Sequence, residues 1–224
     1  MYCPICGWST ISKFPNNKAV ADFYCPNCNN QFEQKSKNGA FGEKIADGAH
    51  HTFIQRICSN HNPNFFIMSY SLKSMRVEEM YFIPRFFFLP EIVEQRKPLS
   101  AHARRAGWVG CNILLGEIPM QGRIPIVKNG IFLDKNNVFN EVKKTLAIRT
   151  ENMVARSWLM DTLQCVNKIE SDDFTLDMIY SYEEEFAMKY PNNHHIRAKI
   201  RQQLQKLRDS GIITFLGNGH YHKN

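Results

Sequence analysis

The sequence predicts a mixed α/β domain over residues 1–150 followed by a smaller winged-helix domain over residues 151–224. Three observations carry that expectation. Two Cys-x-x-Cys knuckles open the chain, short aromatic and β-branched runs follow with one helical stretch among them, and the last seventy or so residues show three helical patterns and a hairpin turn. A chain of 224 residues with 43% hydrophobic content is long enough to bury a core in each part.

Taken in order, residues 19–24 and 31–35 alternate as half-buried strands do, and residues 43–58 have helical spacing through Ile45, Ala49, Phe53 and Ile57. Residues 64–70 and 79–83 read as strands between Pro63 and Pro84, with another strand at 124–127. Residues 98–122 hold four glycines and the run His102 to Trp108, so they read as a surface loop. A helix is expected over 137–148 and the domain boundary near 149–153. Helices then follow over 154–168, 174–189 and 193–209, and Asn218-Gly219 lies between two short apolar runs as a hairpin turn. In a winged helix the third helix is the DNA reader, and here it displays His195, Arg197, Lys199 and Arg201 around Ile196, Ile200, Leu204 and Leu207. A helical packing module is the plainer reading of the same pattern.

Cys3, Cys6, Cys25 and Cys28 form two knuckles with 18 residues between them, a spacing that suits a structural Zn²⁺ site. Four thiolates close a tetrahedron and leave no position open for catalysis. Cys58, Cys111 and Cys165 lack partners in sequence and read as buried core thiols. An odd cysteine count argues against a disulfide framework, and the absence of a long apolar run or a signal-peptide pattern points to the cytoplasm and to no membrane partner.

The formal charge of +7 is uneven: residues 192–224 hold six basic residues and only Asp209, whereas residues 161–185 hold eight acids and one lysine. Such separation suits a polyanion such as DNA. Glu33 and Lys35 lie one residue apart on a strand and so share a face, and Asp22 ends the strand before it. If the strands pair, two carboxylates converge beside a lysine and form a hard oxygen site for Mg²⁺. Residues of these types also decorate ordinary exposed hairpins, so the spacing alone is a weak signal.

Ala21-Asp22 followed by Glu33-Gln34-Lys35 resembles the PD-(D/E)xK nuclease signature, with alanine in place of its proline. The runs VADFYC, FEQKSK, NPNFF, QRKPL, ARRAGW and GCNI, with the terminal IRAKIRQQLQKLRDSGII, resemble the DpnI restriction endonuclease family along nearly the whole chain. The family's chains carry a further helical segment ahead of the first knuckle. The resemblance implies a PD-(D/E)xK restriction-endonuclease-like mixed sheet with a four-cysteine zinc site and a C-terminal winged helix. It also implies a type IIM enzyme that uses Mg²⁺ to cleave double-stranded DNA at adenine-methylated GATC, with both domains reading the methylated site. Asp22, Glu33 and Lys35 would be the catalytic set, Asp22 and Glu33 the magnesium ligands, and a monomer the expected state.

An N6-methyl group on adenine adds apolar surface in the major groove, so its reader needs a flat apolar wall with charged neighbours. Trp108 with Arg104 and Arg105 fits that task, although a tryptophan on a loop is more often a packing residue. Two other readings compete. A zinc-containing winged-helix regulator would bind DNA without cutting it, and a repair nuclease would share the carboxylates but leave Trp108 without a role.

Overall fold

The computed structural model describes residues 1–15, 21–59, 62–150 and 152–224. The chain divides into two compact units, Met1–Lys143 and Lys144–Asn224. In the first, β1 (Ser12–Lys13), β2 (Phe23–Tyr24), β3 (Gln31–Asn38), β4 (Lys44–Ala49) and α1 (His50–Ile57) are followed by β5 (Asn64–Ser71) and β6 (Arg76–Ile83). Next come β7 (Val93–Gln95), β8 (Gly110–Leu114), β9 (Ile124–Lys128), β10 (Ile131–Phe132) and α2 (Lys135–Ala147), whose last turn falls in the second unit.

Seven strands form one mixed sheet in the order β1-β2-β3-β5-β6-β9-β10, and β4-β8-β7 form a second. Among the described residues of the large sheet, β3 and β5 are the one parallel pair; β4 and α1 lie between those two strands in the chain and supply the long connection a parallel pair needs. The central strand β5 buries Phe65, Phe66 and Ile67 in succession, so both of its faces are covered. Phe66 packs with Phe32 and Phe82 at ring separations of 5.0 and 5.8 Å. On the opposite face Phe65 meets Phe88 at 4.3 Å and Phe53 of α1 at 5.9 Å, edge to face. Such pairs add about 0.5–1.5 kcal/mol each to the burial of the rings.

The helix expected over 43–58 is two elements. Ile45, Ala49, Phe53 and Ile57 satisfy a four-residue spacing, yet residues 44–49 pair as β4 with β8, Ile45 opposite Ile113, and the helix starts only at His50. Gly48 disfavours helix just where the chain changes state. The loop expected over 98–122 likewise contains β8, a buried strand that closes the second sheet. Of the strand expected over 19–24, Phe23 and Tyr24 form β2, and residues 19 and 20 lie outside the described residues.

The second unit contains α3 (Met153–Lys168), β11 (Asp173–Thr175), α4 (Leu176–Tyr180), α5 (Glu183–Lys189), α6 (Ile196–Asp209), β12 (Ile213–Gly217) and β13 (His220–Lys223). Asn152 caps α3 by accepting the Ala155 N–H at 2.9 Å. Trp158 of α3 is buried and stacks on Tyr190 and Phe186 at 4.1 and 5.2 Å. The helix expected over 174–189 is divided because Phe174 pairs with Tyr221 as β11, and the Thr175 hydroxyl then caps a fresh helix at the Met178 N–H. Strands β11-β13-β12 form the wing sheet. Its turn places Asn218 and Gly219 at φ 48° and 76°, the left-handed pair that a two-residue hairpin turn requires. No helix among the described residues is long and apolar enough to cross a membrane.

Candidate active site and metal centre

Strand register decides which side chains meet. Glu33 lies beside Phe65 and Lys35 beside Ile67 in the parallel β3–β5 pair, so both point to the face that α1 covers. From the last turn of α1, Arg56 Nη1 comes within 3.2 Å of Glu33 Oε2. Lys35 Nζ is 2.6 Å from Glu33 Oε1 and also pairs with Asp47 Oδ1, delivered by β4. Burial works against a charge on Lys35, but Glu33 and Asp47 outweigh it and hold the ammonium above the ordinary lysine value. Lys35 is therefore a cation at neutral pH.

Asp22 reaches the same strand from its other edge. Continuing the β2–β3 register from Phe23 opposite Phe32 sets Asp22 across from Glu33, where the β2 pairing has ended. Its N–H donates to the Phe32 carbonyl at 3.0 Å, and its Oδ2 accepts the Gln34 N–H at 2.7 Å. An extended residue sends its N–H and C=O to the same edge, so the Gln34 carbonyl leaves β3 on the side of Asp22. Asp22 therefore lies across from Glu33, and Lys35 follows two residues further along β3.

Asp47 and Arg56 are not legible in the sequence as site residues. Asp47 stands in the segment whose spacing suggests a helix, and nothing in Ala46-Asp47-Gly48 distinguishes a site acid from a turn. Among the described residues, only the four cysteines bring three or more thiol, imidazole or carboxylate ligands together. Asp22 rests on an amide and Glu33 on two cations, so a cation would have to draw both from these partners. Glu33 Oε2 is buried, and the partner shown for it is the Arg56 guanidinium at 3.2 Å. The Glu33 and Asp22 carboxylates and the Gln34 carbonyl are oxygen donors of the type Mg²⁺ takes.

The four knuckle sulfurs lie within 4.8 Å of one another, with Cys3 Sγ 3.7 Å from Cys28 Sγ and Cys6 Sγ 3.5 Å from Cys25 Sγ. A tetrahedron with metal–sulfur bonds of about 2.3 Å sets its sulfurs about 3.8 Å apart, so the cluster fits zinc. The two knuckles share one backbone design. Gly7 N–H donates to Cys3 O and Asn29 N–H to Cys25 O, both at 2.9 Å, and Gly7 and Asn29 take φ of 76° and 56°. Asn30 Nδ2 lies 3.3 Å from Cys28 Sγ, and Asn64 Nδ2 reaches Asn30 Oδ1 at 3.4 Å, which ties the cluster to β5. Of the other cysteines, Cys111 and Cys165 are buried as expected, and burial pushes their thiols up to about 11 and about 12. Cys58 is exposed and does not join the core.

Trp108 is half-buried on the loop before β8. Its N–H donates to Arg105 O at 3.0 Å and its carbonyl accepts the Leu99 N–H at 2.9 Å. The Arg105 guanidinium lies 4.6 Å from the ring centroid. A Cβ on Gly110 would fall 2.8 Å from the ring's Cη2 and Cζ3, so glycine there lets the indole lie across the backbone. Arg104 is exposed on the same loop.

In the second unit, α6 buries Ile196, Ile200, Leu204 and Leu207, the four positions its spacing predicts. His195 and Arg201 are exposed and Lys199 half-exposed. Arg197 is engaged within the unit: its Nε pairs with Glu183 at 2.7 Å, and its guanidinium lies 4.9 Å from the Tyr180 ring.

A curled mixed sheet with a four-cysteine cluster, followed by a helical unit with a β-wing, is the layout of a DNA-acting enzyme with a separate reading domain. The chain matches the DpnI family, described as the Dam-replacing family, over residues 1–151, and the Dam-replacing HTH domain over residues 154–223. The chain belongs to the DpnI family. Membership implies a methylation-dependent restriction endonuclease, and it does not favour a regulator without nuclease activity.

Proposed function

We propose that this protein hydrolyses both strands of DNA at adenine-methylated GATC, with Mg²⁺ held by Asp22 and Glu33, and Zn²⁺ held by Cys3, Cys6, Cys25 and Cys28 in a structural role. What supports the chemistry is the register that sets Asp22 across from Glu33, with Lys35 paired to Glu33 on β3. A Mg²⁺ ion there supplies Lewis acidity toward a phosphodiester and lowers the pKa of a bound water. The chain's own residues do the rest. Asp22 and Glu33 fix the oxygen cage, and Lys35, held protonated, offers its N–H groups to a phosphate oxygen while water adds to phosphorus and the ester P–O bond breaks. The proton that leaves the water passes to solvent, and the departing ester oxygen takes one up from solvent. The deciding experiment digests one plasmid prepared with and without adenine methylation at GATC. Cutting confined to the methylated preparation and dependent on Mg²⁺ is expected; equal cutting of both sinks the specificity, and binding without nicking sinks the chemistry.

Trp108, backed by Gly110 and flanked by Arg105, is proposed to contact the adenine methyl group. Burying a methyl removes on the order of 30 Å² of apolar surface, worth roughly 0.8 kcal/mol, so a single contact gives only a few-fold preference. Trp108→Ala is therefore expected to lower the ratio of cleavage rates on methylated over unmethylated GATC several-fold while the Mg²⁺ dependence is unchanged. A variant that retains the full ratio returns Trp108 to a packing role.

Lys199, Arg201 and His195 of α6 are proposed to contact the duplex, together with Arg104 and Arg105. Arg197 joins them only by leaving Glu183. Each lysine or arginine that meets a phosphate displaces counterions, so Lys199→Ala with Arg201→Ala is expected to flatten the plot of log affinity against log salt by about 0.9 for each phosphate no longer neutralised. An unchanged slope, measured by anisotropy over a salt series, removes these two residues from the DNA interface. A monomeric state is proposed alongside and is read by sedimentation.

A further inference from the structure

Resting on the catalytic reading above, we infer that Asp47 is a positioning residue for the reaction: it holds the Lys35 ammonium over the reacting edge of β3 independently of Glu33. The Asp47 side chain is only 4% exposed, yet it belongs to β4, a strand of the other sheet. One oxygen, Oδ1, takes both the Lys35 ammonium and the Gly48 N–H, the latter at 2.6 Å. The other, Oδ2, is buried without a hydrogen-bond partner among the described residues. The β4–β8 register slips between Asp47 and Ala49, and an irregularity of that kind re-aims a side chain at the cost of ladder pairing.

A buried ion pair is a poor device for stability, because apolar residues of similar volume serve as well or better. A functional demand accounts for this one. Lys35 lies between Glu33 and Asp47, and Glu33 also faces Arg56. A Glu33 carboxylate that also serves a cation shares its charge and holds the ammonium less firmly. Among the described residues, the Asp47 carboxylate is shared between Lys35 and its own backbone neighbour Gly48, so it is the anchor that stays and keeps Lys35 on the face shared with Glu33.

The test uses the full chain with the substitutions Asp47→Asn, Lys35→Ala and both together, on methylated plasmid and on a short methylated duplex. Asp47→Asn keeps size and removes charge. It is expected to lower the single-turnover cleavage rate on the order of 100-fold, the scale set by a misplaced reacting group, with KM nearly unchanged. Affinity for the duplex with Ca²⁺ in place of Mg²⁺ is expected to match the wild type, a readout that needs no cleavage. In the Lys35→Ala background, Asp47→Asn is expected to add almost nothing, because residues acting through one another are not additive. Asp47→Glu, which keeps the charge, is expected to recover part of the rate.

Three results overturn the inference. They are a wild-type cleavage rate for Asp47→Asn, a loss in the double variant equal to the product of the single losses, or a fall in melting temperature together with DNA affinity, which marks a structural role. Wild-type cutting by Lys35→Ala itself refutes the catalytic reading on which the inference rests. A dead Lys35→Ala beside a fully active Asp47→Asn refutes the inference alone.

Discussion

Asp22→Ala is expected to bind methylated DNA with near wild-type affinity and to cut it at least about a thousandfold more slowly, a loss of roughly 4 kcal/mol of transition-state stabilisation. The size follows from its position. In the proposed site Asp22, across from Glu33 where β2 stops pairing, is one wall of the oxygen cage, and no other carboxylate among those described on β2 and β3 is placed to replace it. The fold has little reason to fail. Asp22 is exposed and its one side-chain hydrogen bond among the described residues goes to the Gln34 N–H on an open strand edge, where water can take its place. Binding and cutting therefore separate in this variant, which a mobility shift without added Mg²⁺ and a plasmid-nicking time course read in parallel. Cleavage at the wild-type rate removes Asp22 from the chemistry; loss of binding with loss of cutting makes it a structural residue instead.

The parts of this fold that the sequence displays are those governed by local rules. Alternation marks β3, a continuous aromatic and β-branched run marks β5, and four-residue spacing marks the buried stripe of α6. Asn218-Gly219 announces the wing turn through the left-handed backbone that only such residues take easily. Where two rules coincide, spacing misleads. Ile45 and Ala49 are spaced as on a helix and also mark the start and the end of a short strand, and only the distant partner β8 decides between the two. The candidate site divides in the same way. Asp22, Glu33 and Lys35 share one strand pair and are legible from spacing, whereas Asp47 and Arg56 arrive from β4 and α1 through tertiary packing that no local pattern encodes. Cys58 is a further case: helix spacing buries Ile57, and the residue after it faces outward at the helix end.

Cys25→Ser is expected to lower the melting temperature and the cleavage rate together, unlike Asp22→Ala, which should spare stability. The reason lies in the chain path. Cys25 directly follows β2, and Cys28 precedes β3 by three residues, so the second knuckle is the connection between the strand that leads from Asp22 and the strand that bears Glu33 and Lys35. The first knuckle clamps that connection from outside, through sulfur pairs 3.5 and 3.7 Å apart. Binding of structural zinc to deprotonated thiolates is worth about 10–16 kcal/mol in small zinc-binding peptides, against a total stability of about 5–15 kcal/mol for a typical domain. Losing one ligand therefore weakens a term whose full size is comparable with the stability of a whole domain. With the clamp open, β2 is left with two-residue pairings to β1 and to β3, too few to keep Asp22 opposite Glu33. Metal analysis of the wild type should give one zinc per chain, and a strong chelator should reproduce the Cys25→Ser phenotype while added Mg²⁺ fails to reverse it. A wild-type chain without zinc, or a Cys25→Ser chain with unaltered melting and cutting, would show that the two knuckles close without metal and that the β2–β3 geometry stands by itself.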